Sequence, residues 1–256
     1  MIHNGDATTR ASDRRELRTE AILDRAMEIL ESDDLDGLTL QRVAQTLGLV
    51  TTAIYRYFPS KDALIAALQR RAVREISAHF ESELETLTAT LGKVAPATAS
   101  LATLLTLADL YLSLPDTHPH EWRLVARLLG DPRQLLSDEE ATKTAPLLGA
   151  FLERMESVFA LAQETEALSP GDANARVYAF WSALHGAHCM DKARRVARRA
   201  PSVADIGRFA SGALLTSWGA TPARLSAAHQ LTRTARPGET EPAASKPGIK
   251  KKKGRV

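Results

Sequence analysis

The chain has 256 residues, of which 44% are hydrophobic and 5% aromatic, so it is long enough to fill a core in one large or two smaller domains. Its net charge of +2 depends on residues 246–256, which hold six basic side chains and no acid and leave 27 basic against 31 acidic residues, or −4, elsewhere. The overall charge therefore gives no argument for nucleic-acid binding, and the single cysteine excludes an intramolecular disulfide.

Alanine and leucine are abundant and β-branched runs are few, which predicts an all-α protein. The N-terminus has no apolar segment that resembles a secretory signal. The most apolar stretch, residues 101–114, is too short to span a bilayer and is predicted to be a buried helix. We therefore expect a cytoplasmic protein.

Residues 1–12 are polar and are predicted to form a flexible N-terminus. The first helix is then predicted to begin at Ser12 or Asp13, because either side chain can accept hydrogen bonds from unpaired backbone amides, and to end near residue 31. Ile22, Ala26 and Leu30 recur every four residues and give this helix one apolar face.

Residues 38–64 have the pattern of a helix-turn-helix. Two segments with helical periodicity, residues 40–47 and 50–57, flank Gly48, whose missing Cβ suits the left-handed backbone that ends a helix. The side chains predicted to pack between the two helices are Val43, Ala44, Leu47, Leu49 and Ile54. Those left on the opposite face of the second helix are Thr51, Thr52, Tyr55 and Arg56. That face would enter a DNA major groove.

Charge is unevenly distributed around this motif. No acidic residue occurs between Gly37 and Lys61, which predicts a phosphate-facing surface there. A second basic cluster, Arg10, Arg14, Arg15 and Arg18, lies at the start of the first helix. These arginines could reach the DNA backbone or a minor groove, or they could form an ordinary solvated helix end.

The rest of the chain is predicted to be helical up to a disordered tail. Pro59 ends the second helix of the motif, Ser60 can cap the next helix, and that helix continues to Gly92. Further helices are predicted at residues 98–114, 119–129, 144–167, 172–199 and 202–218, which makes about nine in total. The predicted domains are a helix-turn-helix domain (13–60), a larger helical domain (61–232) and a disordered basic tail (233–256).

Residues 15–66 resemble the DNA-binding domain of the tetracycline-repressor (TetR) family of bacterial transcriptional regulators. The matching segments are ILDRAMEIL, GLTLQRVAQTLGL and above all AIYRYFPSKDALI. The resemblance implies a ligand-responsive repressor that binds a palindromic operator as a homodimer. One departure is Val50, where the family often has a serine cap, so the second helix of the motif is predicted to be less well capped.

The exposed face and the resemblance together predict a set of DNA-contacting side chains. They are Gln41, Arg42, Thr51, Thr52, Tyr55, Arg56, Tyr57 and Lys61. The resemblance implies base or groove contacts for the threonines and Tyr55, with Gln41 and Arg42 reaching from the preceding helix, and phosphate contacts for Tyr57 and Lys61.

One such domain contacts few base pairs, so a two-fold dimer on two half-sites is expected. The dimer interface is predicted on the last two helices, where the aromatic residues concentrate, although the same residues also suit an intramolecular core. The predicted interface residues are Val177, Phe180, Trp181, Leu184, His188, Ile206, Phe209, Ala213, Leu214 and Trp218.

If the helices after the motif enclose a pocket, a small, largely apolar effector bound there could tilt the fourth helix and change the spacing of the two DNA-binding domains. The side chains proposed for its wall also suit plain core. They are Leu101, Leu104, Leu105, Tyr111, Trp122, Leu128, Phe151, Met155 and Phe159.

His185, His188 and Cys189 share one helix face, which prompts a test for a metal site. No fourth ligand is evident, so a packed or interface cluster is favoured, and neither a metal nor a cofactor is expected. The sequence also has no phosphate-binding glycine loop and no convincing nucleophile and base, so we do not expect an enzyme. The alternative to a regulator is a helical ligand-binding or adaptor protein whose helix-turn-helix is structural only.

Overall fold

A computed structural model describes residues 5–33, 35, 37–130, 137–197 and 199–235, of which residues 5–11, 127–130, 194–195 and 235 are described by backbone alone. This part of the chain contains ten α-helices and no strand, which confirms the all-α fold. The helices are α1 (Gly5–Ser32), α2 (Leu40–Thr46), α3 (Thr51–Ile54), α4 (Lys61–Leu91), α5 (Pro96–Thr117), α6 (Pro119–Gly130), α7 (Asp138–Glu164), α8 (Ala173–Cys189), α9 (Val203–Ser217) and α10 (Pro222–Ala235). A short 3-10 helix, Met190–Arg195, follows α8. The predicted tail lies outside the described residues from position 236 onwards.

The first hydrophobic core lies between α1, α2, α3 and the first half of α4. Ile22, Leu38, Ile54, Leu64 and Leu68 are completely buried in it. Residues at the periodic apolar positions of α1 therefore do pack against the helix-turn-helix, as the sequence predicts. Leu124 of α6 joins the same core, so α6 also packs against the core that holds the helix-turn-helix.

The second core surrounds α5, which α4, α7, α9 and α10 all contact. Leu101, Leu104, Leu110 and Leu114 of α5 are essentially inaccessible to solvent. At 22 residues α5 is long and apolar enough to cross a membrane, but 67% of its most apolar window is buried inside the protein. It is therefore the central helix of a packed core.

Helix α4 belongs to both cores. It begins at Ser60, whose side chain accepts a hydrogen bond from Ala63 N at 3.0 Å, and ends at Gly92, where φ is +46°. Both boundaries are as predicted. Its N-terminal half buries Leu64 and Leu68 in the first core, and its C-terminal half buries Phe80 in the second.

Several helix boundaries differ from the prediction. Helix α1 begins at Gly5 and not at Ser12 or Asp13, because nothing from residue 6 onwards stops a helix. Helix α7 begins at Asp138 and not at residue 144. Ser137 caps this start, and three acidic residues in the first turn interact favourably with the helix dipole. Helix α8 ends at Cys189, ten residues early, and α10 was not predicted at all.

Helix α5 continues through Pro115, where the sequence had predicted a stop. Proline has no backbone N–H, so it leaves the carbonyl of Tyr111, four residues earlier, without its helical donor. His188 Nε2 of α8 lies 3.3 Å from this carbonyl oxygen and supplies a replacement donor. A contact from a distant helix thus allows the proline to stay inside α5.

Candidate nucleic-acid interface and ligand cavity

The turn between α2 and α3 is held by backbone hydrogen bonds around Gly48. Gly48 has φ of +65°, its N–H donates to Gln45 O at 3.1 Å, and Leu49 N donates to Ala44 O at 2.8 Å. This pair of bonds is the Schellman motif, which satisfies the last carbonyls of a helix. At the other end of α2, the Thr39 side chain accepts from Arg42 N at 3.1 Å. The predicted turn is confirmed.

Helix α3 has a buried side and an exposed side. Ile54 and Phe58 pack in the first core, while Thr52, Tyr55 and Arg56 are exposed and Thr51 is half-buried. The helix is shorter than the predicted residues 50–57, because after Ile54 the chain enters a turn in which Tyr57 N and Phe58 N both donate to Ile54 O. Val50 precedes α3 without a capping hydrogen bond, as predicted, and it is 71% exposed.

Two of the predicted DNA-contacting cations are engaged within the chain. Arg42 forms an ion pair with Asp33 and donates from Nη1 to Gly37 O at 3.3 Å. Lys61 Nζ donates to Leu35 O at 2.7 Å, which leaves two of its three N–H groups for other partners. A guanidinium has five N–H groups, so Arg42 keeps donors for a phosphate, but the neighbouring Asp33 corrects the prediction of an acid-free surface around this side chain.

An open cleft of about 630 Å³ joins the start of α1 to the segment after α3, and it is lined by Arg14, Arg15, Arg56 and Tyr57. Arg15 Nη2 donates to Arg56 O at 3.4 Å across this cleft. Arg14 and Arg15 of α1 therefore lie beside the segment that follows α3, a grouping that neither sequence segment shows by itself. Gln41 lies exposed on α2. An open basic surface of this kind suits a polyanion.

The helical body contains two small apolar cavities of about 50 Å³ each between α4, α5, α7 and α8. Of the predicted wall residues, Tyr111, Phe151, Met155 and Phe159 line them. Leu101, Leu104 and Leu105 are instead packed in the second core, and the α5 residues that line the cavities are Leu107, Tyr111 and Leu114. Trp122 packs on Tyr111 and His188 outside the cavity walls, and the Leu128 side chain lies outside the described residues.

Tyr111 is the centre of a polar cluster between α5 and α8. Its hydroxyl oxygen lies 2.9 Å from Trp181 Nε1 and 2.9 Å from His185 Nδ1. The indole N–H can only donate, so the Tyr111 oxygen accepts from Trp181. The Tyr111 hydroxyl proton is paired in the His185 tautomer that carries its own proton on Nε2, because Nδ1 is then an acceptor. Burial raises the pKa of Tyr111 and lowers the pKa of His185. The cluster is therefore neutral at physiological pH.

His188 contacts the same tyrosine through its backbone. Burial lowers the pKa of His188, and this effect outweighs the hydrogen bond with Tyr111 O that would raise it. Cys189 is exposed, and no group of three or more His, Cys, Asp or Glu residues in the described part of the chain is placed to hold a metal ion. The two histidines thus act in packing and hydrogen bonding.

The predicted dimer-interface residues divide into two groups. Val177, Phe180 and Leu184 are buried in the second core, and the half-buried Trp218 packs on Phe159 and Phe180. These four therefore pack within the chain, and their contact with a second chain stays a prediction. Trp181 and His188 are also engaged with Tyr111. The reason is that α8 turns its most apolar side towards α5 and α7, within one chain.

The exposed sides of α8 and α9 carry the remaining candidates. Phe209 is 80% exposed and Ala213 is exposed, while Ile206 and Leu214 are half-buried. The structure adds Tyr178 of α8, which is 47% exposed and was not predicted. Large exposed aromatic side chains on neighbouring helices are typical of protein interfaces.

The sequence comparisons match the N-terminal part of the chain, which contains the first core, whereas the structural comparisons cover most of its length. Residues 22–68 match the model of bacterial regulatory proteins of the tetR family. The tetracycline repressor protein class D of Escherichia coli is 35% identical over 68 residues. That alignment covers 27% of this chain and 30% of the repressor, so the chain matches less than a third of this curated relative.

Solved structures resemble the chain over most of its length. A tetR-family transcriptional regulator from Agrobacterium tumefaciens has a TM-score of 0.55 at 18% identity, over 80% of this chain and 98% of that one. RolR in complex with resorcinol has a TM-score of 0.55 at 19% identity (87% and 96%). A regulator from Saccharomonospora viridis in complex with choline has 0.56 at 17% (77% and 95%). These likenesses show the fold.

Proposed function

We propose that this chain, whose residues 22–68 match the model of the tetR family of bacterial regulatory proteins, is a non-enzymatic, cytoplasmic transcriptional regulator that binds DNA. The observation that carries the proposal is the α2–α3 turn with its exposed Thr52, Tyr55 and Arg56. Helix α3 enters the major groove, where threonine and tyrosine hydroxyls meet base edges.

The surrounding surface would hold the DNA backbone. Arg56, Tyr57 and Lys61 flank α3, and Arg15 extends the same basic surface along α1. Phosphate contacts of this kind set the register of the protein on DNA without reading its sequence. Arg42 joins them through the N–H groups that Asp33 and Gly37 leave free, with its charge partly offset by Asp33. Gln41 extends the base-reading surface from α2.

Specific binding by such a small domain requires two copies. We propose that the chain forms a homodimer through the exposed sides of α8 and α9, with Tyr178, Phe209 and Ala213 at the contact. A two-fold dimer presents two α3 helices to two inverted half-sites, so the operator is palindromic.

Ligand control would act through the cavities and α4. Phe80 of α4 lines both cavities, and the same helix continues into the first core, where it supports α3. A ligand that prefers one tilt of α4 therefore shifts DNA affinity, and DNA shifts ligand affinity by the same factor. A small molecule that releases the protein from its operator makes it a ligand-responsive repressor.

The proposal is tested by measuring affinity for the operator, found by selection from random DNA, and for a scrambled duplex. Tyr55→Phe and Thr51→Ala are expected to lower operator affinity by about tenfold and leave scrambled binding unchanged. Arg56→Gln is expected to weaken binding to both duplexes. It should also reduce the slope of log affinity against log salt concentration by about one, because one phosphate contact is lost. All three variants should also be made in a chain that ends at Ala235, which keeps α10 and removes the lysine-rich segment.

Equal losses on both duplexes for all three variants would contradict the base-reading roles. A chain that ends at Ala235 and selects no sequence would support the alternative, a ligand-binding or adaptor protein with a structural helix-turn-helix.

A further inference from the structure

The two cavities are separated by aromatic side chains that belong to both walls: Phe80, Tyr111, Phe151 and Trp181. Phe80 and Tyr111 are buried in the second core, whereas Phe151 and Trp181 are only half-buried. Rotation of Phe151 therefore joins the cavities with the least disturbance of the core. Their volumes of about 50 Å³ each together approach an engineered apolar cavity of about 150 Å³ that binds benzene.

The cavity walls offer no counter-charge. None of the described side chains that line either cavity is charged. Two ion pairs join α4 to α7 beside the cavities, since Arg70 bonds Glu140 at 2.9 Å and Arg154 bonds Glu81 at 2.8 Å. A charged ligand would lose its hydration without a partner, which lowers its affinity by at least about a hundredfold against an uncharged molecule of the same shape.

The polar side-chain groups in the walls offer a ligand little. The Tyr111 hydroxyl is bonded to Trp181 Nε1 and His185 Nδ1, and Ser77 Oγ donates to Val73 O at 2.7 Å. A ligand acceptor must therefore break one of these pairs, whereas a ligand hydroxyl finds only the remaining lone pairs of Ser77 and Tyr111 and exchanges a hydrogen bond with water for one with the protein. The walls therefore favour a ligand whose binding does not depend on a hydrogen bond.

We propose that the effector is an uncharged molecule of about one ring, aromatic or alicyclic, whose binding depends on apolar contact and not on a hydrogen bond. The name effector rests on the proposed function, but the binding preference itself does not. The ligand occupies the joined cavity with Phe151 displaced from between its halves.

Three pairs of probes of matched shape test the preference by calorimetric titration of the full chain without DNA. Ethylbenzene and benzylammonium differ by a positive charge, nitrobenzene and benzoate by a negative charge, and toluene and phenol by a hydroxyl group. Each uncharged member of the first two pairs is expected to bind at least about a hundredfold tighter than its charged partner. Phenol is expected to bind within about tenfold of toluene, because a hydroxyl that exchanges water for one lone pair in the wall gains little.

The aromatic walls give the rival outcome a physical basis, because aromatic faces can also hold a cation. Benzylammonium that binds as tightly as ethylbenzene would overturn the proposal, as would benzoate that matches nitrobenzene. Phenol that binds more than about tenfold tighter than toluene, or no binding by any uncharged probe, would also overturn it.

The variant Phe151→Ala tests whether the ligand binds in the joined cavity. This variant is expected to change ethylbenzene affinity several-fold, whereas Leu161→Ala, at an exposed position of the same helix, leaves it unchanged. Phe151→Leu serves if the alanine variant does not fold, as judged by thermal unfolding. Unchanged ethylbenzene affinity in the folded Phe151 variant would overturn the site. Operator binding is measured separately, so its failure contradicts the proposed function and leaves the charge preference standing.

Discussion

Val50 is an apolar side chain at the start of α3, the helix that we propose to face DNA, and it is 71% exposed. In the major groove the thymine methyl is the apolar group that such a side chain can contact. We expect that replacing operator thymines one at a time by uracil, which lacks only this methyl, weakens binding at one position per half-site by about fourfold. Fluorescence anisotropy with the substituted duplexes measures the effect.

Val50→Ala is the matched protein change. It is expected to bind the thymine and uracil operators equally, because the partner of the methyl group is gone. If Val50→Ala retained the full preference for thymine, another side chain would make the contact.

The bond between His188 and the Tyr111 carbonyl compensates for Pro115. His188→Ala is expected to lower the free energy of unfolding by about 1–3 kcal/mol, because it leaves this buried carbonyl without a donor. Pro115→Ala restores the helical N–H, so the double variant should recover most of the loss. Denaturant titration of the two single variants and the double variant measures it. Additive effects would show that the bond does not have this role.

His185, His188 and His229 have pKa values lowered by burial. The unfolded chain then binds protons more tightly than the folded chain, so stability is complete above the ordinary histidine pKa of 6.5 and falls as pH drops below it. We expect the thermal midpoint to decrease between about pH 7 and about pH 5. His185→Asn is expected to reduce this decrease, and a variant with an unchanged pH profile would contradict the assignment.

At the scale of whole helices, α4 is joined to α7 by two ion pairs of different character. In the Arg70–Glu140 pair the carboxylate is almost buried and also forms an ion pair with Lys143. The Arg154–Glu81 pair is exposed. Burial by itself would raise the pKa of Glu140, but the bonds from Lys143 and Arg70 outweigh it and lower the pKa. The Arg70–Glu140 pair is therefore expected to fix the position of α4 against α7 more firmly than the exposed Arg154–Glu81 pair does.

Glu140→Gln is expected to weaken the coupling between effector and operator, with Arg154→Gln as the control between the same helices. The coupling is the ratio of operator affinities with and without a saturating uncharged probe such as ethylbenzene. We expect this ratio to fall by about 2- to 30-fold in Glu140→Gln and to stay within about twofold of the original in the control. Equal ratios in all three proteins would exclude this pair from the coupling.

Short-range signals explain which helices the sequence predicts well. Gly48 and Ser60 act through their own backbone neighbours, so the α2–α3 turn and the start of α4 are readable from local sequence. Helix α10 buries Leu225 and Ala228 in the second core. Helix α5 continues through Pro115, where His188 donates a hydrogen bond to the carbonyl that the proline leaves unpaired. Such contacts between distant segments have no local signature.

The same limit applies to the candidate sites. Phe180 and Phe209 both lie on helices with apolar residues on more than one side, so periodicity alone did not show that the first is core and the second exposed. The DNA-facing residues were easier, because Ile54 and Phe58 mark the buried side of α3 and leave the others outward. The Arg15–Arg56 contact joins residues 41 positions apart and needed the fold.

For the whole molecule, the exposed Phe209 is the position at which we expect a substitution to separate the proposed dimer. Phe209→Glu is expected to give a monomer in sedimentation experiments, because it places a charge in an apolar contact. The monomer should bind a full operator no better than a half-site. Leu17→Glu, at an exposed apolar position of α1, is the control and should remain dimeric. A dimeric Phe209→Glu protein would move the interface elsewhere.

The unbroken helix α4 also determines how one chain unfolds. Leu64 and Leu68 hold one core and Phe80 and Leu84 the other, with no glycine or proline between them. Melting either half of α4 removes a wall from its own core and frays the helix that supports the other. The DNA-binding region should therefore lose its structure in the same calorimetric transition as the helical body, as a single cooperative unit.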